Sequence, residues 1–234
     1  MNIFKTWIQK IGKAYYRQML KKEYEAQQFE PNERSIEYRF VFDAIAKVCP
    51  KTVLDVGVGK SSLPQLMSVC GLKVTAIDNI YEYWSKYGMF NKHFYVINDD
   101  IANTKLANKF DLITCISTLE HIRDFNSAMK NMANLLEPKG FLVLTCPYTE
   151  NRYIDNVYKL PESTAGSNRT YITQSFSRNN VLGWVKNCGL KIIDQEYWQC
   201  FSGDFWSAGE RIFPVKKVLK DEKHHLACLL LQKE

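Results

Sequence analysis

Residues 52–66 read TVLDVGVGKSSLPQL, and the fold turns on the ligand for which this glycine bend is built. The run TVLDV is short, apolar and β-branched, as a buried strand is, and it breaks at a glycine. Leu63 to Cys70 then reads as a helix, capped by Ser61 or Ser62 and stopped by Gly71. Pro64 suits a first helical turn, where backbone donors have no intrahelical partner. Two phosphate-binding readings compete for the bend. A G-x-x-x-x-G-K-[ST] loop finds its end in Gly59, Lys60 and Ser61, but its first glycine falls on Leu54. A dinucleotide turn, G-x-G-x-x-G, is met by Gly57 and Gly59 but has Ser62 in its third position. Asp55 opposes both, because a carboxylate beside the bend repels phosphate.

A ligand that is positively charged near the bend reverses that argument. S-adenosylmethionine carries a sulfonium and an ammonium and no phosphate, so an acid at the strand end balances its charge. Glycines beyond that acid let the backbone approach. Other acids follow at strand ends. Asp78 closes the strand KVTAID, 19 residues after Gly59, where a carboxylate suits both hydroxyls of a ribose. NDDI closes the strand FYVIN; Asp100 with Ile101 suits an adenine edge best, and Asp99 is the second choice.

The same alternation runs through the chain: strand FDLITCIS, helix Phe125–Leu136, turn EPKG, strand FLVLTCP, helix Arg178–Cys188, strand LKIIDQEYW and strand HHLACLLLQ. Apolar strands separated by helices imply a parallel sheet covered on both faces. The final two strands lack an intervening helix, so one is expected to run antiparallel at a hairpin-like edge. An earlier helical stretch spans about Ser35 to Val48.

Composition narrows the class. The chain has 234 residues, 46% hydrophobic and 24% charged, which suits one large globular domain. No apolar run approaches the ~20 residues of a membrane span, and MNIFKTWIQKIGKAYYRQMLKK has no secretory apolar core. Seven scattered cysteines without C-x-x-C or a paired histidine set read as reduced, metal-free and cytoplasmic. The net charge of +6 is concentrated at the start, where Lys5, Lys10, Lys13, Arg17, Lys21 and Lys22 face only Glu23 before Tyr24. The rest is nearly neutral, which disfavours a broad nucleic-acid surface.

VLDVGVGKSSLPQL, VTAIDN, DDI, FDLITCISTLEHIRD and LLEPKGFLVLTCP, in this order and spacing, resemble the class I S-adenosylmethionine-dependent methyltransferases, most closely the branch acting on small molecules, lipids and sugars. RTYITQSFSRNNVLGWVKNCGLKII resembles the segment of that branch that leads into its sixth strand. One departure is Ser61 where the family usually has a third glycine. The resemblance implies an α/β Rossmann-like fold with a seven-stranded sheet, six strands parallel and the seventh antiparallel. Residues 35–234 are expected to form the methyltransferase domain, and the helical spacing of Ile3, Phe4, Trp7, Ile8, Ile11, Tyr15 and Met19, with lysines on the other side, reads residues 1–34 as a basic amphipathic helical extension. Asp55, Gly57 and Gly59 would line the methionine end of the cofactor, Asp78 the ribose, and Asp100 and Ile101 the adenine, with Asp99 in reserve. Ser117 would lie beside the amino-acid or sulfonium end.

Transfer to an alcohol needs a base near the acceptor. His121, after the fourth strand on the cofactor side, is the candidate; the competing reading has Glu120 and His121 merely bonding the turn together. His93, His224 and His225 read as surface or strand-end residues. Two segments, about 147–177 and 199–225, could cover an acceptor. The first offers Tyr148, Tyr153, Tyr158, Tyr171, Arg152 and Arg169, and the second Phe201, Phe205, Trp206 and Arg211. Tyr148, Arg152, Arg169 and Tyr171 are the substrate-binding candidates, since aromatic faces and arginines suit sugars and phosphates. STLEH stands where N/D-P-P-Y would mark amino methylation, and no acidic cluster marks a metal-dependent catechol enzyme. The expectation is transfer to a hydroxyl of a small acceptor such as a glycan or lipid-like intermediate. A non-catalytic cofactor-binding partner protein and a NAD-dependent oxidoreductase are the alternatives. The first helix could cover the cleft, make a homodimer contact, lie on an anionic membrane with Phe4 and Trp7 inserted, or be a mobile tail.

Overall fold

The computed structural model describes residues 3–81, 91–166, 169 and 171–234. The described chain forms two compact units, residues 1–32 and 33–234. The first contains helix α1 (Ile3–Glu25), whose Trp7, Ile8, Ile11 and Tyr15 are exposed. The side chain of Phe4, and Ser167, Asn168 and Thr170 in the segment before the sixth strand, lie outside the described residues.

The second unit carries one sheet in the order β3-β2-β1-β4-β5-β8-β6-β7. Its strands are β1 (Thr52–Val56), β2 (Lys73–Asp78), β3 (Ile97–Asn98), β4 (Phe110–Ile116), β5 (Leu136–Pro147), β6 (Leu190–Phe201), β7 (Arg211–Val218) and β8 (Leu226–Lys233). β3, β2, β1, β4 and β5 pair in parallel. β8 runs antiparallel to both β5 and β6. The last strand is therefore inside the sheet and not at its edge.

The edge is the additional strand β7, antiparallel to β6, which makes eight strands in place of the seven expected. β7 reads RIFPVKKV and is half to fully exposed along its length. Proline and lysines are what an edge strand tolerates, and they hide a strand from a pattern search. The segment EPKG is a bulge within β5: pairing jumps from Phe110↔Leu136 to Leu112↔Phe141, with Lys139 at φ 64°.

Helices α2 (Arg34–Val48), α3 (Leu63–Val69), α4 (Phe125–Leu135) and α5 (Arg178–Cys188) cover the sheet. Its alternating side chains feed two cores. Leu54, Val56, Leu229 and Leu231 pack with Met129, Met132 and Trp184 of α4 and α5. Val53, Leu230 and Cys228 pack with Phe40, Val41 and Ala44 of α2. Burial on both faces is why these strands are nearly continuous apolar runs. Gly189 adopts a left-handed φ of 61° and ends α5.

The chain order reverses at β1, which lies between β2 and β4. Open α/β sheets bind ligands at such a switch point, at the carboxyl ends of the strands. Asp55, Asp78, Asp99 and Ser117 all stand at that edge, at or just past the ends of β1, β2, β3 and β4.

Candidate active site at the carboxyl ends of the strands

The bend after β1 is fixed by geometry that only glycine meets. Gly57 has a φ of 73°, and a Cβ there would lie 2.0 Å from Thr118 Cγ2. Thr118 Oγ1 donates to Gly57 O at 3.1 Å, closing the bend against the end of β4. Gly59, at φ 53°, donates its amide to Asp78 Oδ2 at 2.6 Å. Ser61 Oγ accepts from Leu63 N at 3.0 Å, so Ser61 and not Ser62 serves the start of α3. Two side chains outside the motif hold the bend. Asn91 Nδ2 donates to Gly59 O and Ser61 O at 3.0 and 2.9 Å, and Tyr38 Oη lies 2.7 Å from Ser61 Oγ.

Asp55 is buried and accepts from Thr114 Oγ1 at 2.7 Å. Burial pushes its carboxyl up to about 7, with the Thr114 hydrogen bond and the Arg34 charge pulling the other way. A cation arriving here would restore the ionised form.

A second acid, absent from the sequence reading, lies beneath the site. Glu37 of α2 is fully buried and accepts from Ser117 Oγ at 2.5 Å, Thr145 Oγ1 at 2.6 Å and Arg34 Nη1 at 2.8 Å. Those bonds tie α2 to the ends of β4 and β5. Burial still raises the Glu37 carboxyl above its ordinary value, against the pull of Arg34. Ser117 itself has a φ of 44°, a conformation costly for a residue with a Cβ and characteristic of functional turns. Arg34 lines a cavity with Tyr38, Asp55, Gly57 and Ser61, where its guanidinium suits a carboxylate. The spacing of Glu37 to Phe40, Val41 and Ala44 was the available signal, because it puts the acid on the buried face of α2.

The two acids after β3 divide their tasks. Asp100 Oδ1 accepts from Ala102 N at 3.0 Å and caps a short 3-10 turn, Ile101–Asn103. Ile101 is buried. Asp99 Oδ2 accepts from Lys105 N, and its Oδ1 is buried without a hydrogen-bond partner among the described residues. An orphaned buried acceptor asks for a donor. An adenine amino group supplies one, so the residues present fit an adenosyl group. Asp99, the second choice from sequence, has the more demanding vacancy of the pair.

His121 follows β4 in a short 3-10 turn, Leu119–His121. Its Nδ1 lies 2.7 Å from Ile172 O, and a carbonyl only accepts, so Nδ1 carries the proton and Nε2 keeps its lone pair. Burial lowers the imidazole's pKa, against that hydrogen bond, so the ring is neutral near pH 7. The Tyr171 ring meets it edge-on at 5.3 Å. Glu120 is buried, with burial raising its carboxyl to about 8, and its Oε2 has no partner among the described residues.

The acceptor candidates separate. Arg169 and Tyr171 line one cavity. Tyr148 does not: it is fully buried, stacked against His224 at 5.5 Å, and its hydroxyl donates to Glu150 at 2.9 Å. Arg152 is exposed and lies over the Phe205 ring at 5.6 Å, joining the two covering segments. His224 and His225 are buried strand-end residues, not surface ones. All seven cysteines are free, and among the described residues no cluster of three or more His, Cys, Asp or Glu could hold a metal. No helix among the described residues is long and apolar enough to cross a membrane.

Comparison with known sequences gives this geometry its context. The sequence model of the family described as "Methyltransferase domain" matches residues 24–195, well over half of the chain. The chain belongs to the class I S-adenosylmethionine-dependent methyltransferases. Its cofactor is accordingly S-adenosylmethionine. Among curated relatives of this methyltransferase, the ubiquinone biosynthesis O-methyltransferase of Coxiella burnetii is 28% identical over 163 residues, covering 62% of this chain and 65% of the relative. The chain therefore spans slightly less than two thirds of that relative's length. Among solved structures, TehB of Haemophilus influenzae is 19% identical with a TM-score of 0.54, covering 83% of this chain and 61% of that one. An S-adenosylmethionine-dependent methyltransferase of Clostridium acetobutylicum is 16% identical with a TM-score of 0.53, covering 93% and 98%. At these identities the likeness is one of fold.

Proposed function

We propose that this methyltransferase transfers a methyl group to a hydroxyl oxygen of a small-molecule acceptor, a glycan or lipid-like intermediate, with His121 as the base. The observation that carries the reading is the fixed tautomer of His121, whose Nε2 lone pair is free of the Ile172 carbonyl bond and whose ring adjoins the cavity wall at Tyr171. The O-methyltransferase name of the Coxiella relative supports an oxygen as the accepting atom.

Asp55, Gly57, Gly59, Asp78, Asp99, Asp100, Ile101 and Ser117 would hold the cofactor, and Arg34 would meet its carboxylate. When bound, the cofactor supplies a methyl carbon already activated by positive sulfur. The chain's share is alignment, which supplies much of the acceleration in such displacements, and removal of one proton. As its proton passes to His121 Nε2, the acceptor oxygen would gain its bond to the methyl carbon, and the carbon–sulfur bond it replaces would leave its electron pair on sulfur as a neutral thioether. A neutral imidazole with a depressed pKa takes that proton near neutral pH and returns it to solvent afterwards.

The exposed apolar and basic faces of α1 support a second, separate reading: peripheral contact with an anionic membrane. The decisive test of the main proposal is a screen of hydroxylated and amino acceptors with methyl-labelled cofactor. Label on oxygen, lost in His121→Ala, is the expected result. Label on nitrogen alone, or measurable calorimetric binding only to NAD, would overturn it.

A further inference from the structure

Beside the His121 turn lies a second cavity, of about 350 Å³, whose walls carry Arg123, Lys159 and Arg169 with Tyr153, Tyr171 and the single acid Asp155. Four arginines elsewhere in this unit are paired with carboxylates. Arg34 pairs with Glu37, Arg39 with Asp43 and Glu196, Arg178 with Glu150, and Arg211 with Glu33. Among the described residues, Arg123, Lys159 and Arg169 have no carboxylate partner; Arg169 meets only the Ala165 carbonyl at 3.4 Å and the Tyr158 ring at 5.9 Å. Three cations against one acid leave a net positive cavity, which raises the local concentration of anions.

The cavity is also fastened to the reacting end of the molecule. Gln174 Nε2 donates to Ile122 O at 2.8 Å, and the Gln174 amide to Glu120 O at 2.9 Å, so the 171–174 wall is bonded to the turn that carries His121. Tyr153 Oη in turn donates to Gln174 Oε1 at 2.5 Å. Arg123 follows His121 by two residues, a separation of at most ~7 Å between their Cα atoms, about the width of one sugar ring.

We infer that this cavity binds the phosphate of a phosphorylated acceptor, with Arg123, Lys159 and Arg169 as its donors. The reading rests on the methyltransferase proposal and narrows its acceptor to a hydroxylated phosphate ester. Guanidinium groups match phosphate oxygens in pairs, Lys159 adds a point charge, and Tyr153 and Tyr171 present ring faces and hydroxyls to the portion between phosphate and hydroxyl. The anchored phosphate would then set which hydroxyl reaches His121 Nε2. The ester's source is either a sugar or nucleotide, or a lipid.

Calorimetry on the full chain tests this, with glucose 1-phosphate, uridine diphosphate and geranyl diphosphate as probes. Unphosphorylated methyl glucoside is the neutral comparison, and S-adenosylhomocysteine is titrated in parallel. Saturable, salt-sensitive binding of at least one ester is expected, weakened tenfold or more in Arg123→Gln and in Arg169→Gln. Affinity for S-adenosylhomocysteine should stay the same in both variants, which also shows that they fold. Which ester binds tightest identifies the source. Failure of every ester to bind a chain that binds S-adenosylhomocysteine overturns the inference alone, as does undiminished ester binding in the double variant or equal binding of methyl glucoside. Failure to bind S-adenosylhomocysteine would instead remove the methyltransferase proposal beneath it.

Discussion

Replacing Asp55 by asparagine keeps the shape and the acceptor for Thr114 but deletes a buried charge, and its consequence depends on pH. The folded carboxyl titrates at about 7, against 3.8 ordinarily. Between those values the folded chain keeps a proton that the unfolded chain has lost. Stability therefore falls as pH rises from about 4 through 7. About 3 pH units at 1.36 kcal/mol each amount to ~4 kcal/mol, an upper figure because local relaxation eases a buried charge. Asp55→Asn escapes that decline. Urea denaturation of both proteins across pH 4.5–8 should show the variant gaining on the parent as pH rises, approaching a few kcal/mol above pH 7. Glu120, whose carboxyl titrates at about 8 in the folded chain, contributes in the same direction to both proteins and cancels in the difference. Adding S-adenosylhomocysteine, which brings an ammonium, should stabilise the parent more than the variant. Curves that run parallel across this range would refute the claim that Asp55 is held as a strained, cation-seeking carboxylate.

Four other outcomes follow from the same geometry. Asp78→Ala should weaken S-adenosylhomocysteine binding about 100-fold or more, since it removes the anchor of the Gly59 amide and the charge-assisted bonds proposed to the ribose; calorimetry reads this directly. His121→Ala should spare cofactor affinity and lower turnover by about 10²–10⁴; unchanged turnover would leave the imidazole as a packing group against Ile172. Gly57→Ala should cost about 3 kcal/mol through its positive φ and the clash with Thr118, measured by denaturation; a loss under ~1 kcal/mol would mean that the bend relaxes freely. Anionic liposomes should co-sediment the full chain in a salt-sensitive way and leave a chain lacking residues 1–24 in solution; equal sedimentation would remove the membrane reading of α1.

Local pattern was enough for some of this protein. The run TVLDV, the bend at Gly57 and Gly59, and acids closing successive strands are written within a few residues of one another, because strand burial and turn conformation are short-range demands. From them came the sheet class and the carboxyl-end crevice. Contacts distant in sequence decided the rest. Glu37 reaches Ser117 and Thr145 only because α2 crosses the ends of β4 and β5. Asn91 clamps a bend some thirty residues earlier in the chain. Tyr148 reads as a binding aromatic from sequence, and its place just past the end of β5 buries it. β7 was invisible because an edge strand needs no apolar face. The charge of Arg123, Lys159 and Arg169 becomes meaningful only when folding gathers three separate segments around one space and sets the single acid Asp155 against three cations. Periodicity in a sequence records what each segment must bury; which polar groups then face one another is fixed only when the segments pack.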